Sequence, residues 1–283
     1  MTTSLRRRSI TATRATLLWV TATLFSVPLY LLLVLSLKTP EQIASSPFGL
    51  PLDPQWSNYA EAWQRSAGSA SATLGFSVLN SATVTVIAVI LIIAISSAGG
   101  YYLGRSLRKT SQYIYLGVVV MLTVPIQLVI IPVYAAYNEV GVLGNLITAA
   151  MFYIGFISPL GIFLITGFVR AIPLEFEEAA RIDGATQLQT FRLIILPLLR
   201  PVISTVAILS AIAVWNDFFG QLVFLLGSGN ETLPLTVFTF ASTYASRYDL
   251  LSAGLVIATV PLAIFYLILQ RKIVEGFSSG IKG

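Results

Sequence analysis

The sequence predicts an all-α, polytopic membrane protein with six transmembrane helices, and three observations carry that prediction. Only 10% of the 283 residues are charged and 56% are hydrophobic, whereas a soluble domain is roughly 25% charged. Apolar windows of about twenty residues recur six times, each long enough to cross ~30 Å of hydrocarbon. None of them alternates with the period of two that barrel strands require, and lipid offers backbone groups no partner outside a helix. A mean hydropathy of +0.84 excludes a string of soluble domains and a disordered chain alike.

The first window, residues 17–37, follows Arg6, Arg7, Arg8 and Arg14. The layout is that of a secretory leader, but the apolar run is too long for a leader core. Lys38-Thr39-Pro40-Glu41 offers no small-x-small cleavage site, so an uncleaved span is expected. The stretch 38–75 carries Pro40, Pro47, Pro51 and Pro54 and reads as irregular. Residues 58–64 are expected to form a short interfacial helix, with Trp56, Tyr59 and Trp63 near the headgroups. The second window is 76–98, with Asn80-Ser81 at its outer end, suited to capping or interhelical hydrogen bonds. The third, 113–135, contains Pro125 and Pro132, expected to bend it and free carbonyls toward a cavity beside Gln127. The fourth, fifth and sixth windows are 146–169, 202–226 and 250–269. The whole chain, 1–283, reads as a single membrane domain.

Charge placement orients the spans. Fourteen of the 17 Lys and Arg residues fall on one side, leaving only Lys38, Arg65 and Arg247 on the other. The excess marks the cytoplasmic face, so both termini are expected there, in a multi-pass arrangement. Neither cysteine nor histidine occurs. Disulfides, thiolate nucleophiles, Ser-His-Asp triads and zinc-histidine sites are therefore excluded. With no GxxxxGK[ST] pattern either, the chain is expected to be no enzyme and to bind no cofactor itself.

The longest cytoplasmic loop, 170–201, is patterned as a mechanical part. Pro173 stands where a helix can begin, and Glu175, Glu177 and Glu178 suit the positive end of its dipole. Ala179 and Ala180 continue it, and Asp183-Gly184 stops it. Thr186 and Gln189 have capping-box spacing for a second helix, which carries Phe191, Ile194 and Ile195 on one stripe. Pro197 is expected to break or kink the run before the fifth window. Small Ala179 and Ala180 would admit another protein's backbone, with Glu177, Glu178, Arg181 and Asp183 fixing orientation by charge. The competing reading is an amphipathic loop lying on the membrane. An acidic first half would be repelled by an anionic leaflet, and lipid binding needs no cap, corner and second cap in succession.

Glu178-Ala179-Ala180, then Gly184, Ile194 and Leu196-Pro197 at fixed spacing match the EAA signature, so the chain resembles the membrane subunits of ABC importers. Trp56-Ser57-Asn58-Tyr59, Trp215-Asn216-Asp217-Phe218 and Thr232-Leu233-Pro234 resemble the carbohydrate branch, and within it the six-span second permease of maltose-type systems. Gly99-Gly100-Tyr101-Tyr102 departs from the alanine-rich form usual before the basic turn. The resemblance implies a sugar permease of a prokaryotic inner membrane, working by alternating access. It implies a second permease, two ATPase subunits holding ATP and Mg, and an extracytoplasmic sugar-binding protein. It places the ATPase contact on Glu178, Ala179, Ala180, Asp183 and Gly184, flanked by Glu177 and Arg181. In some such permeases the tail, here 271–283, also reaches the ATPases.

Asp217 is the only acidic residue inside a window, where a charge costs about 2.5–3.5 kcal/mol. Two readings stand for it. Asp217, Asn216 and Gln221 line a sugar pathway, with Gln127 and with Trp215 stacking on a sugar face; or they satisfy a break in the helix or pair across a subunit interface. Asp217 and Gln221 have the i, i+4 spacing of one helical face. Competing functions are an importer for amino acids, polyamines or peptides, which the loop permits, and an ion-coupled transporter, which would need more buried ionisable groups than Asp217.

Overall fold

The computed structural model describes residues 2–66 and 72–279, with side chains over 15–66, 72–264, 266 and 267. Arg6, Arg7, Arg8, Arg14, Arg271 and Lys272 lie outside the described side chains, and Lys282 lies outside the described residues. Among the described residues the chain is all-helical, with a single antiparallel bridge between Ser66 and Thr73.

Helix α1 (Thr2–Ser36) rests mainly on the last helix and is otherwise uncovered, with only 6% of its apolar window buried. Two short helices follow, α2 (Pro40–Ser45), opened by a Thr39–Gln42 capping box, and α3 (Ser57–Gln64). The latter falls within a residue of the expected interfacial helix. Trp56 and Trp63 are exposed, but Tyr59 turns inward and shares a 2.7 Å hydrogen bond with Ser36. Buried Asn58 donates to the carbonyls of Ser36 and Lys38, at 3.0 and 2.9 Å, and so ties off the end of α1.

The central pair is α4 (Leu74–Arg105) and α7 (Leu146–Ala171), the most extensively packed helices of the chain. Their approach depends on missing side chains. A Cβ on Gly100 would sit 2.7 Å from Ile165 Cγ2, and one on Gly104 would sit 2.6 Å from Val169 Cγ1. Without a hydrophobic driving force in lipid, such close packing is what holds two spans together. The core around this pair takes Val84, Ile92, Phe152, Val206, Phe224 and Leu235 from five helices.

Two expected spans are interrupted. The third window is two helices, α5 (Lys109–Met121) and α6 (Ile126–Val140), meeting at 101°. The chain tightens into successive i→i−3 bonds at Leu122, Thr123 and Val124, and Pro125, lacking an N–H, then opens α6. Pro132 lies inside a continuous α6, so the bend belongs to Pro125 alone.

Four short elements then span the patterned loop: α8 (Glu175–Ile182), α9 (Gln187–Thr190), a π turn at Phe191–Ile195, and α10 (Leu196–Leu198). The fifth window is likewise not one helix. Helix α11 (Arg200–Asn216) stops at Asp217, which is extended at φ −68°, ψ 129°, and α12 (Phe219–Leu225) restarts the chain. A helix the windows did not predict, α13 (Leu233–Thr243), separates it from α14 (Tyr248–Ser279), which contains the sixth window. Among the described residues three helices are long and apolar enough to cross a membrane, or up to five if each bent pair is one span.

Candidate functional site

The segment joining α7 to α11 is an elbow whose corners follow from its residues. Helix α8 carries Glu175, Glu177 and Glu178 in its first turn, and Pro173 stands two residues ahead of it. Its end is closed reciprocally. Ala185 N–H bonds Ala180 C=O at 2.9 Å, and Gly184 N–H bonds Arg181 C=O at 3.0 Å. This six-to-one and five-to-two pair requires a left-handed residue between, supplied by Gly184 at φ +82°. The Thr186 N–H donates to Gln189 Oε1 at 2.8 Å and the Gln189 N–H donates to Thr186 Oγ1 at 3.4 Å, the expected capping box. Pro197 does not break the run where expected: it lies inside α10, and the chain turns two residues later, at Leu199. The missing N–H and the ring of Pro197 are accommodated by the π turn, where Leu196 N–H reaches back to Phe191 C=O. The stretch Gln187–Leu198 then meets α11 at 73°.

The faces of α8 divide the expected contact residues. Glu178, Ala179, Arg181, Asp183 and Gly184 are exposed, beside Phe176 at 48% and Ile182 at 86% exposure. Nothing lies within 4 Å of a Cβ built on Gly184. Glu177 and Ala180 turn inward, only 4% and 5% exposed, so neither offers a face to another protein. Glu177 instead accepts from Tyr101 Oη at 2.9 Å and from Arg105 Nε at 2.6 Å. Arg105 also donates to the carbonyl of Ile172 at 2.9 Å. Removing one member of so buried a pair strands the other, at a cost of about 3–5 kcal/mol.

The polar residues of the fifth window serve the helix break. Asp217 Oδ2 accepts from Gly220 N–H at 2.8 Å and from Tyr153 Oη at 2.8 Å, capping α12 and pinning it to α7. Buried Gln221 donates to Val214 C=O at 3.1 Å and accepts from Thr232 Oγ1, so it serves both sides of the interruption. Asp217 and Gln221 do meet, but around a break rather than along one helical face. Asn216 is exposed and donates back to Ile212 C=O at 2.8 Å. Trp215 lines a separate apolar cavity of about 100 Å³ with Thr85, Ala211 and Pro261. Gln127 is exposed in the first turn of α6 and joins none of these groups.

Tyr153 and Glu231 went unnoticed in the sequence, and Thr232 stood out only within the Thr232-Leu233-Pro234 run. Fully buried Glu231 accepts from Ala72 N–H at 2.7 Å and from Gly229 N–H at 3.3 Å. Asn80 donates to its carbonyl at 3.0 Å, and Ser81 accepts from Leu233 N–H at 2.8 Å. The interhelical role expected of Asn80-Ser81 is thus to hold the turn between α12 and α13. The available signal was the cap: Asp217 stands three residues before Gly220, and Asp favours the N-cap.

Residues 96–278 match the family of inner membrane components of binding-protein-dependent transport systems. The chain is 36% identical over 264 residues to a probable permease for starch degradation products, AmyC, of Thermoanaerobacterium thermosulfurigenes, covering 93% of this chain and 92% of that one. It is 32% identical over 259 residues to the melibiose/raffinose/stachyose import permease MelC of Bacillus subtilis, covering 91% of each. Its fold is similar, at a TM-score of 0.76 and 21% identity, to a chain in the crystal structure of a bacterial ABC transporter that imports alginate. That likeness covers 93% of this chain and 96% of the other.

Proposed function

From the premise that the chain belongs to the family of binding-protein-dependent inner membrane transport components, we propose that it is one of two permeases in an ATP-driven sugar importer. Six spans cross the membrane, α5 with α6 forming one bent crossing and α11 with α12 forming one interrupted crossing, and both termini are cytoplasmic. The second permease completes the translocation route. Two cytoplasmic ATPase subunits hold ATP and Mg, and an extracytoplasmic sugar-binding protein delivers the solute. Closure of the ATPases moves the elbow, and the spans rock between inward-open and outward-open states.

The observation that carries this reading is the double-capped elbow, with Glu178, Ala179, Arg181, Asp183 and Gly184 facing outward. Small, exposed Ala179 and open Gly184 let a partner's backbone approach, and the three charges set its orientation. Ala180 holds the inner side of the same helix. The import permeases among the relatives support sugar as the solute class. Asp217 and Gln221, already committed to the helix break, leave most of the sugar contact to the second permease.

The test is uptake in proteoliposomes holding both permeases, the ATPases and the binding protein. A panel of radiolabelled sugars, with glycine betaine and an amino acid as other solutes, is offered with and without ATP. ATP-dependent uptake of one or more sugars is expected. Accumulation of the amino acid alone, or sugar uptake indifferent to ATP, overturns the reading.

A further inference from the structure

We propose that Glu177 is a positioning residue that makes the elbow and the end of α4 move as one body, acting through Tyr101 and Arg105. The proposal deepens the coupling reading above and rests on it. Tyr101 and Arg105 are one turn apart on α4, on the same face. Their polar ends converge on one carboxylate, at 2.9 and 2.6 Å. Arg105 at the same time donates to the carbonyl of Ile172, the residue that follows α7. The Tyr101 ring packs on Phe191 in the π turn, with centroids 5.1 Å apart. The exit of α7, helix α8 and the second half of the elbow therefore all meet the last two turns of α4.

Among the described residues, the bonds at Glu177 are the only side-chain hydrogen bonds from α8 to a span. Without them, α8 hangs from 172–174 and could yield to a push by bending there. With them, a displacement applied to its outer face passes into α4. The contact at Gly100 and Gly104 then carries it to α7. A charged pair shielded from water is short and stiff, which suits a rigid joint.

The experiment uses the assembled transporter in proteoliposomes and the sugar that scores highest in the uptake panel. The readout is sugar moved per ATP hydrolysed. In Glu177→Ala this ratio falls about tenfold, within the range seen for residues that carry coupling, while the ATPases still co-purify. The chain has no cysteine, so a joint can be remade. In the R105C/E177C double variant, a bifunctional methanethiosulfonate reagent recovers at least half of the lost ratio, and reductant removes it again. An unchanged ratio in Glu177→Ala, or a linked double variant no better than the reduced one, overturns the proposal. Loss of the ATPases from Glu177→Ala also overturns it, because Glu177 would then serve docking. A wild-type chain that binds no ATPase defeats the coupling reading itself, and this proposal with it.

Discussion

Gly184 offers a substitution whose internal and external costs separate. It sits at φ +82°, and a Cβ there meets nothing within 4 Å. Any larger residue suffers the left-handed backbone penalty, roughly 1–2 kcal/mol for an L-residue. Because the space is open, Gly184→Trp costs the chain about what Gly184→Ala costs. A penalty of that size leaves a protein stable by some 5–15 kcal/mol folded. Thermal unfolding of the purified permease should therefore place both variants close together, slightly below wild type. Uptake should not. If the ATPase packs against this corner, alanine lowers uptake by about tenfold or less, the rate equivalent of ~1.4 kcal/mol. Tryptophan, filling the space the partner needs, abolishes uptake. Equal uptake by the two variants would show that backbone strain alone is felt, and the docking argument would fail. Wild-type uptake by Gly184→Trp would remove the corner from the interface altogether.

Other substitutions test the remaining geometry. Asp217→Ala removes the cap of α12 and the partner of Tyr153, at about 1–3 kcal/mol; thermal stability should fall while the apparent affinity for sugar holds. A changed affinity with unchanged stability would restore the pathway-lining role. Gln221→Leu leaves the Val214 carbonyl and the Thr232 hydroxyl without their partner and should cost about 1–3 kcal/mol in the same melt. Thr186→Ala breaks the capping box and should loosen the elbow by about 1 kcal/mol, seen as faster amide exchange at Gln189; protection equal to wild type would contradict the cap. Gly100→Leu drives a side chain into Ile165 and the Thr166 backbone, so overpacking should lower the melting temperature and the yield of folded protein.

The elbow was legible because its signals are local. A run of acids, a glycine and a capping box each act within four residues, so spacing alone located α8, the corner and α9. The apolar windows were legible for a similar reason, since lipid demands a minimum length. What the windows hid was continuity. Pro125 and Pro132 look alike in sequence, yet only Pro125 breaks the chain, because α6 absorbs the other. The break at Asp217 has no proline at all. It depends on Tyr153 and Thr232, which lie 64 residues before it and 15 after it in the sequence. That Glu177 turns inward was not legible, because helical spacing gives a face, but not which face meets the spans. Tyr101 and Arg105 decide that, and they come from more than 70 residues earlier.

In the proposed importer an ATPase subunit grips the outer face of α8. The absence of cysteine in the chain allows one thiol to be placed at Ala179, an exposed position, and labelled with a photoreactive cross-linker in the assembled transporter. Illumination should join the permease to an ATPase subunit, and Gly184→Trp in the same chain should suppress that adduct. Adducts with lipid alone, or with none of the ATPase subunits, would contradict the account.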